Sequence, residues 1–107
     1  KLGRMLPRII HKELVIDPMR RTVVMQKEPI HLTAKEFDVL LLLASKAGTA
    51  LTKEEIYETV WNMSRDYMGT QVSDHIFTLR RKLGLDKKDQ TYIQTVFGVG
   101  YRFSTNE

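Results

Sequence analysis

Apolar residues along this chain first cluster in short β-rich segments and then recur at helical spacing, and the change outlines the elements. Residues 10–16 and 21–26 are β-rich segments, separated by Asp17-Pro18-Met19-Arg20, and Asp followed by Pro opens turns. Glu28-Pro29 is expected to break the second strand, with Ile30-His31-Leu32 forming a short third. From Thr33 the period becomes helical. Thr33-Ala34-Lys35-Glu36 is a capping box, and Phe37, Leu40, Leu41 and Ala44 follow on one face at i, i+3, i+4 and i+7. Leu42 and Leu43 widen that face, so the helix is expected to be covered on most sides, ending at Gly48. A second capping box, Thr52-Lys53-Glu54-Glu55, opens a helix carrying Ile56, Tyr57, Val60 and Trp61. A polar loop, residues 62–69, precedes a third helix over about 70–83 with Gly84 as its stop. Residues 91–96 and 101–104 then read as two strands joined by Phe97-Gly98-Val99-Gly100.

This order predicts an α+β fold: an antiparallel N-terminal sheet, three helices packed on one another, and a C-terminal β-hairpin. The third helix has the most informative surface. Val72, Ile76, Leu79 and Leu83 form its core stripe, whereas Asp74, Thr78 and Arg81 lie opposite, flanked by Thr70, Gln71, Phe77 and Lys82. Gln pairs with adenine, Thr touches thymine methyls, and Arg or Lys serves guanine or phosphate. A charged outer face is most often merely solvated. Its position before a glycine-tipped hairpin favours a nucleic-acid reading, since a major groove admits one helix and a hairpin beside it can reach the minor groove or backbone. Phe77 and Phe97 are expected to be exposed, which alone carries no meaning.

Composition narrows the picture further. The 107 residues fit one domain. Lys and Arg number 17 against 13 Asp and Glu, giving a net charge of +4 and a pI near 9.5. That balance attracts polyanions through a salt-sensitive term. Residues 31–60 carry three basic and five acidic side chains, and residues 1–30 carry seven and three, so the middle of the chain is the less suitable polyanion surface. Residues 1–8 read as the basic end of an interdomain linker. The absence of cysteine excludes disulfides and thiolate metal sites and suits a reducing cytoplasm. The longest apolar run, 39–44, is too short to span a bilayer, and no signal-peptide pattern is visible.

Taken together, these motifs resemble the C-terminal effector domain of OmpR/PhoB-type response regulators, a winged helix-turn-helix fold. The matching residues are Leu32-Thr33-Ala34-Lys35-Glu36-Phe37, Leu51-Thr52-Lys53-Glu54-Glu55-Ile56 and Val60-Trp61. Val72, His75-Ile76, Leu79-Arg80 and Lys82-Leu83 match in the third helix, and Ile93-Gln94-Thr95-Val96 with Gly98-Val99-Gly100-Tyr101-Arg102-Phe103 match in the hairpin. The likeness covers about residues 8–104. It implies about four N-terminal strands, short β pairing near Ala50-Leu51, a recognition helix in the major groove and a wing over 96–101. It also implies an effector domain over 9–105 preceded by a receiver domain that a sensor histidine kinase phosphorylates, with dimers on tandem promoter half-sites.

Carried over by position, the DNA-facing residues are Trp61, Thr70, Gln71, Ser73, His75, Phe77, Thr78, Arg80, Thr95, Phe97 and Tyr101. The outer-face pattern adds Arg81 and Lys82. The loop residues Asn62, Met63, Ser64, Arg65, Asp66, Tyr67 and Met68 match the segment that the family often presents to RNA polymerase. Typical members carry Arg where this chain has Thr70, Phe77, Thr78 and Phe97, which removes possible phosphate or guanine contacts. Asp74 on the outer face would repel phosphate, although it could accept from cytosine N4. Three explanations are open: an A/T-rich site, low affinity per domain supplemented by dimerisation, or a surface turned towards protein contacts. The alternative function is accordingly a winged-helix protein-interaction module with weakened or lost DNA binding.

Other chemistry is poorly supported by the residues. His11, His31 and His75 are scattered without metal-ligand spacing, so no metal or cofactor is expected. Glu54 and Glu55 suit a helix N-terminus better than acid catalysis. Gly98 and Gly100 lack the strand-then-helix context of a nucleotide loop, and no nucleophile has an oriented base. A non-enzymatic protein is expected.

Overall fold

A computed structural model describes residues 6–86 and 88–105. The start of the expected linker, residues 1–5, lies outside the described residues. Four strands come first: β1 (Ile9–His11), β2 (Leu14–Asp17), β3 (Thr22–Met25) and β4 (Glu28–Ile30). They form an antiparallel sheet in sequential order. Its inner face contributes Leu14, Ile16, Val23 and Met25 to the core.

Two sequence expectations need correction here. Residues 10–16 are two strands, paired through His11↔Leu14, because Lys12 adopts φ +53° and reverses the chain. The second reversal is at Gln26 and Lys27, both at positive φ, between the paired Met25 and Glu28. This is the conformation of a two-residue hairpin turn. Pro29 therefore sits inside β4 rather than ending β3, and its missing N–H is tolerated because β4 is an edge strand. The Asp17 turn is as expected: its Oδ1 accepts from the amides of Met19 (3.0 Å) and Arg20 (3.1 Å).

The helices are α1 (Ala34–Ser45), α2 (Lys53–Trp61) and α3 (Gln71–Lys82). Both capping boxes form, at Thr33 with Glu36 and at Thr52 with Glu55. In α1, Leu40 and Leu43 are fully buried while Leu41 is only half-buried. Lys35 donates from Nζ to the Val60 carbonyl (3.1 Å), satisfying an end of α2 that carries no basic residue of its own in its last turn. The core stripe of α3 is buried as its period requires.

The C-terminal hairpin joins β6 (Ile93–Val96) to β7 (Gly100–Phe103), starting two residues later than the pattern predicts. Thr91 and Tyr92 are occupied otherwise: the Thr91 carbonyl accepts from His11 Nε2 (2.9 Å) and the Tyr92 hydroxyl accepts from Glu13 N–H (3.2 Å). His11 packs edge-on against Tyr92 and Phe103, so the N-terminal sheet is fastened to the hairpin. A two-residue strand, β5 (Leu51–Thr52), pairs with β7, completing a second sheet in the order β5-β7-β6. Gly100 permits that pairing. A Cβ there would overlap the Leu51 carbonyl oxygen and lie 3.0 Å from Leu51 C and Thr52 Cα.

Candidate nucleic-acid interface

The site consists of the outer face of α3, the hairpin beside it and the loop leading into it. Arg80 fixes the first two together. Its Nη2 donates to the Ile93 carbonyl (3.0 Å) and to Thr95 Oγ1 (2.9 Å), and its guanidinium lies over the Tyr101 ring at 5.9 Å. Nε is buried and has no partner among the described residues. Burial pushes the Arg80 pKa down, partly opposed by Tyr101. A guanidinium engaged in this way is a strut between helix and hairpin.

Lys82, also assigned to the outer face, folds back instead. Its Nζ lies 2.7 Å from Oε1 of Glu36, whose side chain is 8% exposed. Burial alone would raise the Glu36 pKa, but the Lys82 hydrogen bond and the Thr33 amide bring it below the ordinary value of 4.5. The α1 capping box and the C-terminal end of α3 thus share one carboxylate.

The N-terminal end of α3 is similarly ordered from within. Gln71 Oε1 accepts from Gly69 N–H (2.6 Å), and the Thr70 hydroxyl donates to Asp74 Oδ2 (2.9 Å). The latter bond partly masks the acidic group expected to repel phosphate. His75 donates from Nδ1 to the Gln71 carbonyl (2.7 Å), and its Nε2 has no hydrogen-bond partner among the described residues. Its ring meets Trp61 edge-on at 4.9 Å, and Trp61 stacks on buried Tyr57. Trp61 is half-buried.

The remaining positions are open. Ser73 and Thr78 are half-buried, while Arg81 is exposed and, among the described residues, has no side-chain hydrogen bond or ion pair. Phe77 is 69% exposed and Phe97, at the hairpin tip, 98% exposed. Tyr101 is only 8% exposed, so its ring is part of the wall rather than a projecting contact. Ile76, Phe77, Leu85 and Tyr101 line an apolar groove of about 460 Å³ between α3 and the hairpin.

Comparison with known proteins identifies this arrangement. Residues 27–103 match the family model described as transcriptional regulatory protein, C terminal. The chain belongs to that family. It is an effector domain of the OmpR/PhoB response-regulator type, a family of DNA-binding transcription regulators and not of enzymes. It is 32% identical over 99 residues to the response regulator PmrA of Pseudomonas aeruginosa, covering 92% of this chain and 42% of PmrA. The chain thus spans about two fifths of that relative's length.

Among solved structures, the fold is similar to the RstA DNA-binding domain of Klebsiella pneumoniae in complex with the RstA box. The TM-score is 0.84 at 30% identity, covering 92% of this chain and 98% of that one. It is also similar to the response regulator DrrB of Thermotoga maritima, an OmpR/PhoB homologue, with a TM-score of 0.81 at 34% identity, covering 92% of this chain and 44% of that one.

Within this effector domain the hairpin is the wing, and the loop between α2 and α3 has its own architecture. Asn62 leaves α2 at φ +55°, and Arg65–Tyr67 form a 3₁₀ turn capped by Ser64, whose hydroxyl accepts from Asp66 N–H (3.2 Å). Arg65 binds Glu58 three times, through its amide (3.1 Å), Nε (3.0 Å) and Nη2 (3.0 Å). Beside that clamp Tyr67 is 69% exposed and Met63 47% exposed, the Met63 sulfur accepting from the Tyr57 hydroxyl (3.8 Å), and Met68 is half-buried.

Sequence reasoning missed one residue placed beside the wing. Lys53 lies beside the wing, where it shares a groove with residues 95–101, and Val99 is exposed at the wing tip. The Thr52↔Gly100 register carries Lys53 there, and no local pattern reveals a pairing between residues so far apart. No helix among the described residues is long and apolar enough to cross a membrane.

Proposed function

We propose that the chain binds double-stranded promoter DNA sequence-specifically, as the output domain of a two-component transcriptional response regulator. In this reading α3 enters the major groove and the wing, residues 96–101, meets the minor groove or backbone of the same duplex. The observation that carries it is that α3's outer face and the wing tip are presented together and locked by Arg80. Arg81, Ser73, Thr78 and Phe77 are the base- and phosphate-facing positions, with Thr70 and His75 at the entry of the helix. Gln71, Arg80, Lys82, Thr95 and Tyr101 order that surface, and Trp61 supports it from behind. Residues 9–105 act as the effector unit, and residues 1–8 link it to a receiver domain that a sensor histidine kinase phosphorylates in the cytoplasm. Two copies occupy tandem half-sites, and residues 62–68 face RNA polymerase.

One observation favours a second reading, a protein-interaction module. Phe77 is exposed on the lining of an apolar groove and Phe97 is exposed at the wing tip, which suits a protein partner as well as DNA. Fluorescence anisotropy with a random duplex at two salt concentrations separates the two. DNA binding predicts association that weakens steeply with salt, whereas no association at either concentration supports the protein module.

A further inference from the structure

The wing tip is built to project one apolar ring. Val99 N–H donates to the Val96 carbonyl (2.9 Å), closing a turn in which Phe97 is the second residue and Gly98 the third. Gly98 takes φ +77°, which a type II turn requires at that position and which a side chain would resist. Phe97 stands at the apex, 98% exposed, with Val99 46% exposed next to it. Behind it the hairpin is held on two sides. The β5 strand lies against Gly100, and Arg80 bonds the Ile93 carbonyl and the Thr95 hydroxyl from α3. The ring is therefore carried on an arm fixed in direction relative to the recognition helix.

A phenyl ring has no donor for the acceptors on the minor-groove floor and no charge for phosphate. Its favourable contact with a duplex is its flat face against a base, which requires two stacked base pairs to part. Such apolar wedges unstack a step and kink the duplex towards the major groove, most readily at pyrimidine–purine steps.

We infer that Phe97 is a specificity-determining wedge, inserted from the minor-groove side into a flexible TA or CA step beside the segment read by α3. The inference rests on the DNA-binding reading above. It makes part of the target sequence a matter of deformability: the step beneath the wing is selected because it opens, with no hydrogen bond to its bases.

The test uses this 107-residue chain and a duplex that it selects from a random pool. 2-Aminopurine replaces each adenine in turn in the segment flanking the α3 footprint. Wild type is expected to raise the fluorescence at one step as that base loses its stacking partner. Phe97→Ala is expected to abolish the rise and weaken binding about tenfold, the scale of one aromatic–base stack. Phe97→Arg, which offers a cation to the groove without a wedge, is expected to bind without any rise. Unchanged affinity and unchanged fluorescence in Phe97→Ala overturn the wedge while leaving DNA binding intact, as does a rise that persists in Phe97→Arg. Failure of wild type to bind any duplex overturns the DNA-binding reading and the wedge together.

Discussion

Replacing Arg80 by alanine removes the bond between recognition helix and wing, and the structure indicates both the size and the character of the effect. Two hydrogen bonds from a charged donor are lost, to Ile93 O and Thr95 Oγ1. Each such bond contributes roughly 1.5–3 kcal/mol where it is shielded from water. Arg80 is only half-buried and its Nε has no partner among the described residues, so about 2 kcal/mol for the whole strut is the appropriate scale. If the wing must be held in place to bind, that corresponds to about thirtyfold in affinity. A direct phosphate contact could cost as much, but the two roles differ in salt dependence. Removing a phosphate contact lowers the slope of log K against log salt by about 0.9, whereas loosening an uncharged alignment leaves it unchanged. Anisotropy titrations over several salt concentrations should therefore give Arg80→Ala a large affinity loss at the wild-type slope. Arg81→Ala should lose the slope increment. Arg80→Lys, which keeps the charge without the planar fork, should bind like the alanine variant. An Arg80→Ala protein that melts normally but whose slope falls by about 0.9 would refute the strut and return Arg80 to the phosphate-contacting set.

Three further outcomes follow from the same geometry. Glu36→Gln keeps an acceptor for the Thr33 amide but loses the ion pair with Lys82, so it should cost roughly 2 kcal/mol at neutral pH in chemical denaturation. Because the folded Glu36 pKa lies below 4.5, its contribution is complete above that value and disappears as pH falls through the folded pKa. Wild type and variant stabilities should converge in acid, and a difference that persists there would point to packing instead. Gly100→Ala forces β5 away from β7 and should lower stability by more than about 2 kcal/mol, with amide exchange at Leu51 and Thr52 accelerating first. Protected amides in that variant would show the overlap to be relieved elsewhere. Glu58→Ala removes the Arg65 clamp on the loop. In the full-length regulator it should reduce transcription from a bound promoter without changing duplex affinity, and a parallel fall in both would remove the loop from polymerase contact.

The helices were legible because their signals are local. Thr33 with Glu36 and Thr52 with Glu55 mark helix starts within four residues, and the Val72–Leu83 stripe shows which face of α3 is inward. The N-terminal sheet was less legible because its tight turns lie at Lys12 and at Gln26-Lys27, residues that adopt positive φ without the glycine or asparagine that usually announces it. Within the site, exposure of Phe77 and Phe97 followed from period and turn chemistry. The inward commitments of Lys82 and Arg80 did not. Each depends on a partner distant in sequence, Glu36 for one and Thr95 for the other, and side-chain type alone does not distinguish a cation facing solvent from one folded against its own protein.

On the proposed reading, the outer face of α3 reads a base sequence. Repeated selection of bound duplexes from a random pool, followed by sequencing, tests it most directly. A recurrent short half-site beside a flexible step is expected, with enrichment at the half-site that Arg81→Ala diminishes and Lys46→Ala leaves intact. A pool that stays random through successive rounds, or one enriched identically by all three proteins, would contradict it.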